Sequence, residues 1–528
     1  MKPETRRAVL GILLLLAVLT GLFGLAGHAE YSTWTQAAVN NWKQYGWATL
    51  GGKMVTNPGG FQVLEAPQVY AGHRAASLYP VYLIEQLFSW TGHDQLAFHL
   101  VFSLLLFGAT KSLIGNGRIA WIVAALAVLC PGYTIYPAYR DPNAISLYAT
   151  IPYAALVLPL MRHPRLNAGQ LTLLISATLL YSALNWTSAF GHAMVFVTVW
   201  ASHGIARRNL ATYTIVAGLG TAMVLGLSVW DKLHASQTIP APTVAAEAGG
   251  GLIGSYMWGS SGYGLGMTLA KAIARITFTN ALGLLPLLAT LGVAFISARR
   301  TQSPLSIKIW LPILTAVAGV LTLRNYFGHH PWMAVTMLLP GLVFTLHLML
   351  STRQCAIRPP PTVSLSRQRC FAYVSLGGLC LLHSFAIVFA QRAYSASKIE
   401  VSRFVLAHTD RTDTVALFSD FDAEMAAQAG VLAVHADRRI VVMTNLIELT
   451  PSRSQTLLLT SAPQSGGWPL VAVSTQPAYL DNPLIRKTFS WYAQRIARRS
   501  KHDKHFDFAN DRHFYLYHIP PERQTVAP

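Results

Sequence analysis

Apolar runs of roughly 17–22 residues, the length that crosses a lipid hydrocarbon core, recur through the first 392 residues. The pattern predicts spans at 8–27, 96–110, 119–135, 144–161, 170–186, 188–203, 212–229, 276–297, 309–323, 332–350 and 371–391, eleven in all. After Tyr394 the pattern changes. Short strand-like runs at 414–418, 439–444, 456–460, 470–474 and 514–519 alternate with helical stretches at 396–408, 421–430 and 483–499. That alternation predicts a small α/β domain. The expected architecture is therefore a polytopic α-helical membrane domain over 1–392, followed by an α/β domain over 393–528.

One polar stretch interrupts the spans. The loop over 28–95 carries Glu30, Glu65, His73 and Arg74 together with many aromatics. Tyr31, Trp34, Ala38, Trp42 and Tyr45 recur every three or four residues, which predicts a helix with an aromatic face lying at the membrane surface. A second amphipathic stretch, from Leu78 to Trp90, leads into the next span.

Charge then orients the spans. Only 12% of the 528 residues are charged and 52% are hydrophobic, against about 25% charged in soluble domains. The net charge of +19 does not point to nucleic acid, because the Lys and Arg are dispersed over short loops and form no single patch. Lys111 and Arg118, Arg162 and Arg165, Arg207 and Arg208, Arg299, Arg300 and Lys308, and Arg353, Arg358, Arg367 and Arg369 fill alternate loops. The basic N-terminus lies on the same side, and the positive-inside rule assigns that side to the cytoplasm. The multi-pass chain is thus expected in a bacterial inner membrane, N-terminus cytoplasmic and C-terminal domain periplasmic. A cleaved secretory leader ending near Ala29 is the other reading of the first run, but its length favours a retained span.

Eight of the 21 acidic residues precede residue 399, and seven of those fall in outer loops or at their margins. None sits mid-span, where a proton- or sodium-coupled transporter usually holds its ion. Cys130, Cys355, Cys370 and Cys380 lie outside the long polar loops and the tail, so no disulfide framework is implied.

Several outer residues are candidates for chemistry. Asp141 precedes Pro142 at a span start; it is suited to capping that helix and equally to facing a cavity at the membrane surface. Lys271 and Arg275 sit one helical turn apart, as headgroup-reaching side chains or as a seat for a lipid-linked phosphate. Arg324, His329 and His330 lie in the short loop LRNYFGHHPWM. They suit contact with a phosphate or sugar better than metal binding, because no matching ligand cluster accompanies the two His. The Gly-rich stretch within 230–275 reads as a mobile cover. Asp420 and Asp422 in FSDFDAE read as a polar strand-to-helix turn.

The layout, with AEYSTWTQAAVNNWKQYG after the first span, GHRAASLYP further on, YRDP before the fourth span and HHPWMAVTMLLPG late in the chain, resembles the GT-C glycosyltransferases. That family includes protein mannosyltransferases and lipid A aminoarabinose transferases. The resemblance implies transfer of a sugar from a polyprenyl-phosphate donor to a glycan, lipid or protein acceptor, with inversion. It makes Glu30 the catalytic base, with Asp141 assisting by orienting the acceptor or by sharing a divalent metal; no other cofactor is implied. His73, Arg74, Arg140, Lys271, Arg275, Arg324, His329 and His330 are the substrate-binding candidates that would offset the departing phosphate. The competing readings are a flippase or other transporter of lipid-linked sugars, which needs a polar path that the spans do not display, an O-antigen polymerase or ligase, and a non-catalytic assembly protein.

Overall fold

A computed structural model describes residues 33–55, 75–89, 94–115, 144–202, 207–235, 307–324, 331–354, 400–410, 413–418, 436–443, 456–464, 467–476 and 512–519, with a few isolated positions between them. The chain divides into two compact units. One comprises Met1–Phe23 and Ala71–Phe385; the other comprises Gly24–Tyr70 and Ala386–Pro528.

In the second unit, α1 (Thr33–Tyr45) occupies the stretch where an aromatic surface helix was expected. The helix forms, but Trp42 does not face a membrane. Its side chain is fully buried with Ala38 and Val39. The indole N–H donates to the Lys53 carbonyl at 2.7 Å, and Asn41 donates to the Val55 carbonyl at 2.8 Å. The chain after α1 turns back at Gly46 (φ +88°), so Trp42 is engaged in a protein contact. Tyr45 is half-buried, and Tyr31 and the Trp34 side chain lie outside the described residues.

The described part of the first unit is helical. It contains α2 (Tyr79–Phe88), α3 (Asp94–Ile114), α4 (Ala144–Met161), α5 (Ala168–Leu184), α6 (Ser188–Ala201), α7 (Arg207–Ala235), α8 (Leu311–Thr322) and α9 (Val335–Gln354). Seven of the expected spans appear here as helices, with ends shifted by a few residues; those at 8–27, 119–135, 276–297 and 371–391 lie outside the described residues. Among the described residues, the segment Arg207–Leu227 is long and apolar enough to cross a membrane, and six shorter apolar helices accompany it. Their outward positions carry large apolar side chains such as Leu180, Ile215, Leu219 and Leu314. Such a face is stable against hydrocarbon and costly against water.

Small residues let the helices meet. A Cβ at Gly341 of α9 would lie 2.6 Å from the Ala316 Cβ of α8 and 3.2 Å from the Ile313 Cα. The backbones of α8 and α9 therefore approach more closely than any larger side chain permits, as is usual where lipid supplies no hydrophobic drive between helices. At the far end of α9, buried His347 contacts the Leu113 carbonyl at the last turn of α3, tying two helices far apart in sequence.

The tail of the second unit contains a five-stranded sheet in the order β2-β1-β3-β5-β4, from β1 (Thr414–Phe418), β2 (Arg439–Met443), β3 (Thr456–Thr460), β4 (Leu470–Gln476) and β5 (Arg512–Ile519). Each expected strand forms, within two residues of its expected ends. β1 pairs in parallel with both β2 and β3, whereas β5 runs antiparallel to β3 and to β4. A helix over 400–408, α10, lays Val401, Phe404 and Val405 on one sheet face against Val415, Leu417, Leu457, Leu459, Phe514 and Leu516. Residues 421–430 and 483–499, expected helical, lie outside the described residues.

Candidate functional site

Of the residues singled out for chemistry, Arg324 lies within the described structure. Glu30, His73, Arg74, Arg140, Asp141, Lys271, Arg275, His329 and His330 lie outside the described residues. The chain resumes beside several of them. Ala75–Leu78 forms a 3-10 turn directly after Arg74 and runs into α2, whose first turn holds Pro80. Asp141 lies three positions before the first residue of α4. Among the described residues no group of three His, Cys, Asp or Glu side chains comes together as a metal site.

Arg324 follows the end of α8. The helix closes with the Leu323 N–H bonded to the Gly319 carbonyl, and the Phe327 N–H then reaches back to the Leu323 carbonyl at 3.0 Å. Arg324 is half-buried and lines a pocket of about 160 Å³. The other lining residues are Leu269, Ile273, Ile276, Val317, Val320, Leu321 and Leu338, all aliphatic. A guanidinium above an aliphatic wall suits an amphiphile: an anionic head on the cation and a hydrocarbon chain along the leucines. Sequence reasoning identified the cation but not the wall, which is assembled from three separate segments.

Reading the spans as uniformly apolar missed a second feature. A buried polar cluster joins α4, α5, α6 and α7. Tyr153 and Tyr181 stack with ring centroids 4.1 Å apart, and the His192 ring meets both edge-on. Ser182 donates its one hydroxyl hydrogen to the Thr178 carbonyl at 2.9 Å. At the 2.8 Å contact with Ser182 Oγ, His192 Nε2 must therefore be the donor. Nδ1 is then the acceptor, facing the hydroxyls of Tyr153 and Tyr213 at 3.2 and 3.3 Å. The Tyr181 hydroxyl bonds Thr150 at 2.9 Å and accepts from Asn185 at 2.9 Å. Asn185 in turn accepts from the backbone and hydroxyl of Thr187, fixing the turn between α5 and α6. Gly191 is required beside this cluster, because a Cβ there would fall 1.8 Å from the Tyr181 hydroxyl.

Tyr153, Tyr181, His192 and Tyr213 are each at most 5% exposed, so the cluster is sealed and contains neutral partners. It is a cross-brace, not a polar path. His192→Leu removes one donor and one acceptor and is expected to destabilise the bundle by about 2 kcal/mol. Unfolding in detergent titrated with dodecyl sulfate measures this; an unchanged midpoint would show the brace to be energetically idle.

No family model matches the chain, and no curated protein matches it. Solved structures do. ArnT from Cupriavidus metallidurans, bound to undecaprenyl phosphate, matches at 10% identity with a TM-score of 0.53, over 97% of this chain and 98% of that one. The archaeal oligosaccharyltransferase AglB from Archaeoglobus fulgidus, in complex with an inhibitory peptide and a dolichol-phosphate, matches at 12% identity with a TM-score of 0.46, over 84% of this chain. The match spans 65% of that longer enzyme. The Archaeoglobus fulgidus oligosaccharyltransferase in its apo form gives 10% identity and a TM-score of 0.47, over 94% of this chain and 71% of that one. In a match that covers nearly the whole chain the fold is similar to that of ArnT, and it is GT-C-like.

Proposed function

We propose that this chain is a membrane glycosyltransferase that moves a sugar from a polyprenyl-phosphate-linked donor to a glycan, lipid or protein acceptor at the periplasmic face. The observation that carries the reading is the likeness in fold, over 97% of the chain, to a structure that holds undecaprenyl phosphate. The aliphatic pocket headed by Arg324 supports it, since such a pocket suits a lipid phosphate. In this reading the chain crosses the inner membrane eleven times, with its N-terminus cytoplasmic and residues 393–528 in the periplasm.

Glu30 takes the proton from the acceptor hydroxyl or amine as that atom attacks the anomeric carbon. The bond from the anomeric carbon to the phosphate oxygen breaks, and the polyprenyl phosphate leaves with the electron pair. Displacement from the opposite face inverts the centre. Asp141 orients the acceptor or shares a divalent metal with Glu30. Arg324, with His73, Arg74, Arg140, Lys271, Arg275, His329 and His330, supplies the positive charge that the leaving phosphate needs.

The test is transfer by the purified full chain in nanodiscs given polyprenyl-phosphate-linked sugars. Formation of one glycosidic bond per polyprenyl phosphate released is expected. Movement of intact donor across a bilayer, with no bond broken, would instead establish a transporter. Arg324→Gln is expected to raise the donor KM about tenfold, the size of one charge-assisted contact. An unchanged KM would remove Arg324 from the phosphate seat.

A further inference from the structure

The other end of the helical unit carries an arrangement that the transfer reaction does not use. Arg162 and Arg165 lie in the turn between α4 and α5, and Arg207 and Arg208 open α7. All four are exposed. The Asn209 side chain brings the two pairs together, donating to the His163 carbonyl at 2.6 Å and to the Met161 carbonyl at 3.4 Å. Lys308 extends the same end, with its Nζ 4.6 Å above the ring of half-exposed Trp200. A cation over a tryptophan is typical of headgroup depth. Among the described residues of this end there is no Asp or Glu.

Apolar surface starts where the cations stop. Leu173 on α5 and Ile215 and Leu219 on α7 are 43%, 63% and 65% exposed. Ile215 and Leu219 share one helix face, roughly 10 and 16 Å along the axis from Arg208. α5 and α7 pack against each other, and each presents these exposed apolar side chains within about three turns of the cations.

We propose that this end of α4, α5 and α7 is a binding surface for an anionic phospholipid of the cytoplasmic leaflet. Its phosphate sits among Arg162, Arg165, Arg207 and Arg208, and an acyl chain lies along Leu173, Ile215 and Leu219. Charge complementarity selects the headgroup, and the apolar side chains select a lipid over a soluble phosphate. The inference rests on the reading above that the chain spans a membrane with this end inside.

The experiment uses the full chain in nanodiscs of phosphatidylcholine with or without phosphatidylglycerol, and native mass spectrometry counts the lipid retained on release. A preference for phosphatidylglycerol of roughly tenfold or more is expected from four surface cations. The R162Q/R165Q/R207Q/R208Q variant is expected to lose it, and the corresponding Arg→Lys variant to keep it. Inorganic phosphate is expected not to displace the lipid; displacement would mark a soluble-anion surface and overturn the proposal. Insertion without any lipid preference, or a preference that survives the Gln variant, overturns this proposal alone. Failure of the chain to enter nanodiscs of any composition overturns the membrane-spanning reading together with it.

Discussion

Glu30→Gln is expected to lower sugar transfer by at least about a hundredfold while leaving donor binding intact. Glutamine keeps the shape and the hydrogen-bonding reach of glutamate but cannot accept the acceptor's proton. A positioned general base contributes roughly 10²–10⁴ in rate, so its loss falls on kcat. The donor KM, set by the cations and the lipid pocket, should hold. The structure narrows the field of rival bases. Glu85 is one of the seven acids expected on the outer side, yet its side chain in α2 is fully buried. Asp141 is the informative comparison. If it orients the acceptor, Asp141→Asn raises the acceptor KM more than it lowers kcat. If it shares a metal with Glu30, activity depends on added divalent cation and the variant shifts that dependence. Transfer assays on membranes containing each variant decide between these roles. Full activity in the Glu30→Gln protein would sink the assignment outright.

Local patterns were legible and assembled ones were not. The span at 144–161 could be read to the residue, because Arg162 and Pro164 end an apolar run and Asp-Pro begins it. The strands were legible because Val, Leu and Ile cluster in short runs between turn residues. The brace around His192 was invisible for a geometric reason. Each of four helices contributes one to three polar groups to it, so none shows a polar stripe, and the cluster exists only once the helices are packed. The aliphatic wall below Arg324 has the same origin. Trp42 misled in the opposite sense. An aromatic face at helical spacing is equally suited to a membrane surface and to a protein interior, and only the fold-back at Lys53 distinguishes them. For the proposed catalytic residues, sequence and resemblance remain the basis of assignment, because Glu30 and Asp141 stand outside the described residues.

Arg438→Ala is expected to cost the tail of the second unit about 3 kcal/mol, more than any single apolar truncation of comparable size on its surface. In the sequence ADRRIVVM the two arginines look alike, as polar residues at a strand start. The structure separates them: Arg439 is exposed, whereas Arg438 is only 6% exposed. Its guanidinium is spent on the end of α10. Nε donates to Thr409 Oγ1 at 2.8 Å, and Nη2 donates to the Thr409 carbonyl at 2.6 Å. Nη1 donates to the carbonyls of Asp437 and Ala436 at 3.0 and 3.2 Å. Thr409 passes the connection on by donating to the Val405 carbonyl at 2.7 Å. A helix leaves its last carbonyls without partners and carries partial negative charge there, so a buried cation answers both needs. Asp437, at φ +51°, bends the chain so that Arg438 can turn back onto α10. Alanine would leave several buried carbonyls without donors. Lysine would keep the charge but could not fan out over four acceptors, and is expected to recover only part of the loss. Amide exchange of β1 in the full chain reads the effect, since Val415 and Leu417 lie against α10 in the same core. Their protection should fall by roughly a hundredfold in the alanine protein, at about 1.4 kcal/mol per tenfold, and by less in the lysine protein. Equal protection in wild type and Arg438→Ala would mean that water replaces the guanidinium at no cost and that α10 is held by its apolar face alone.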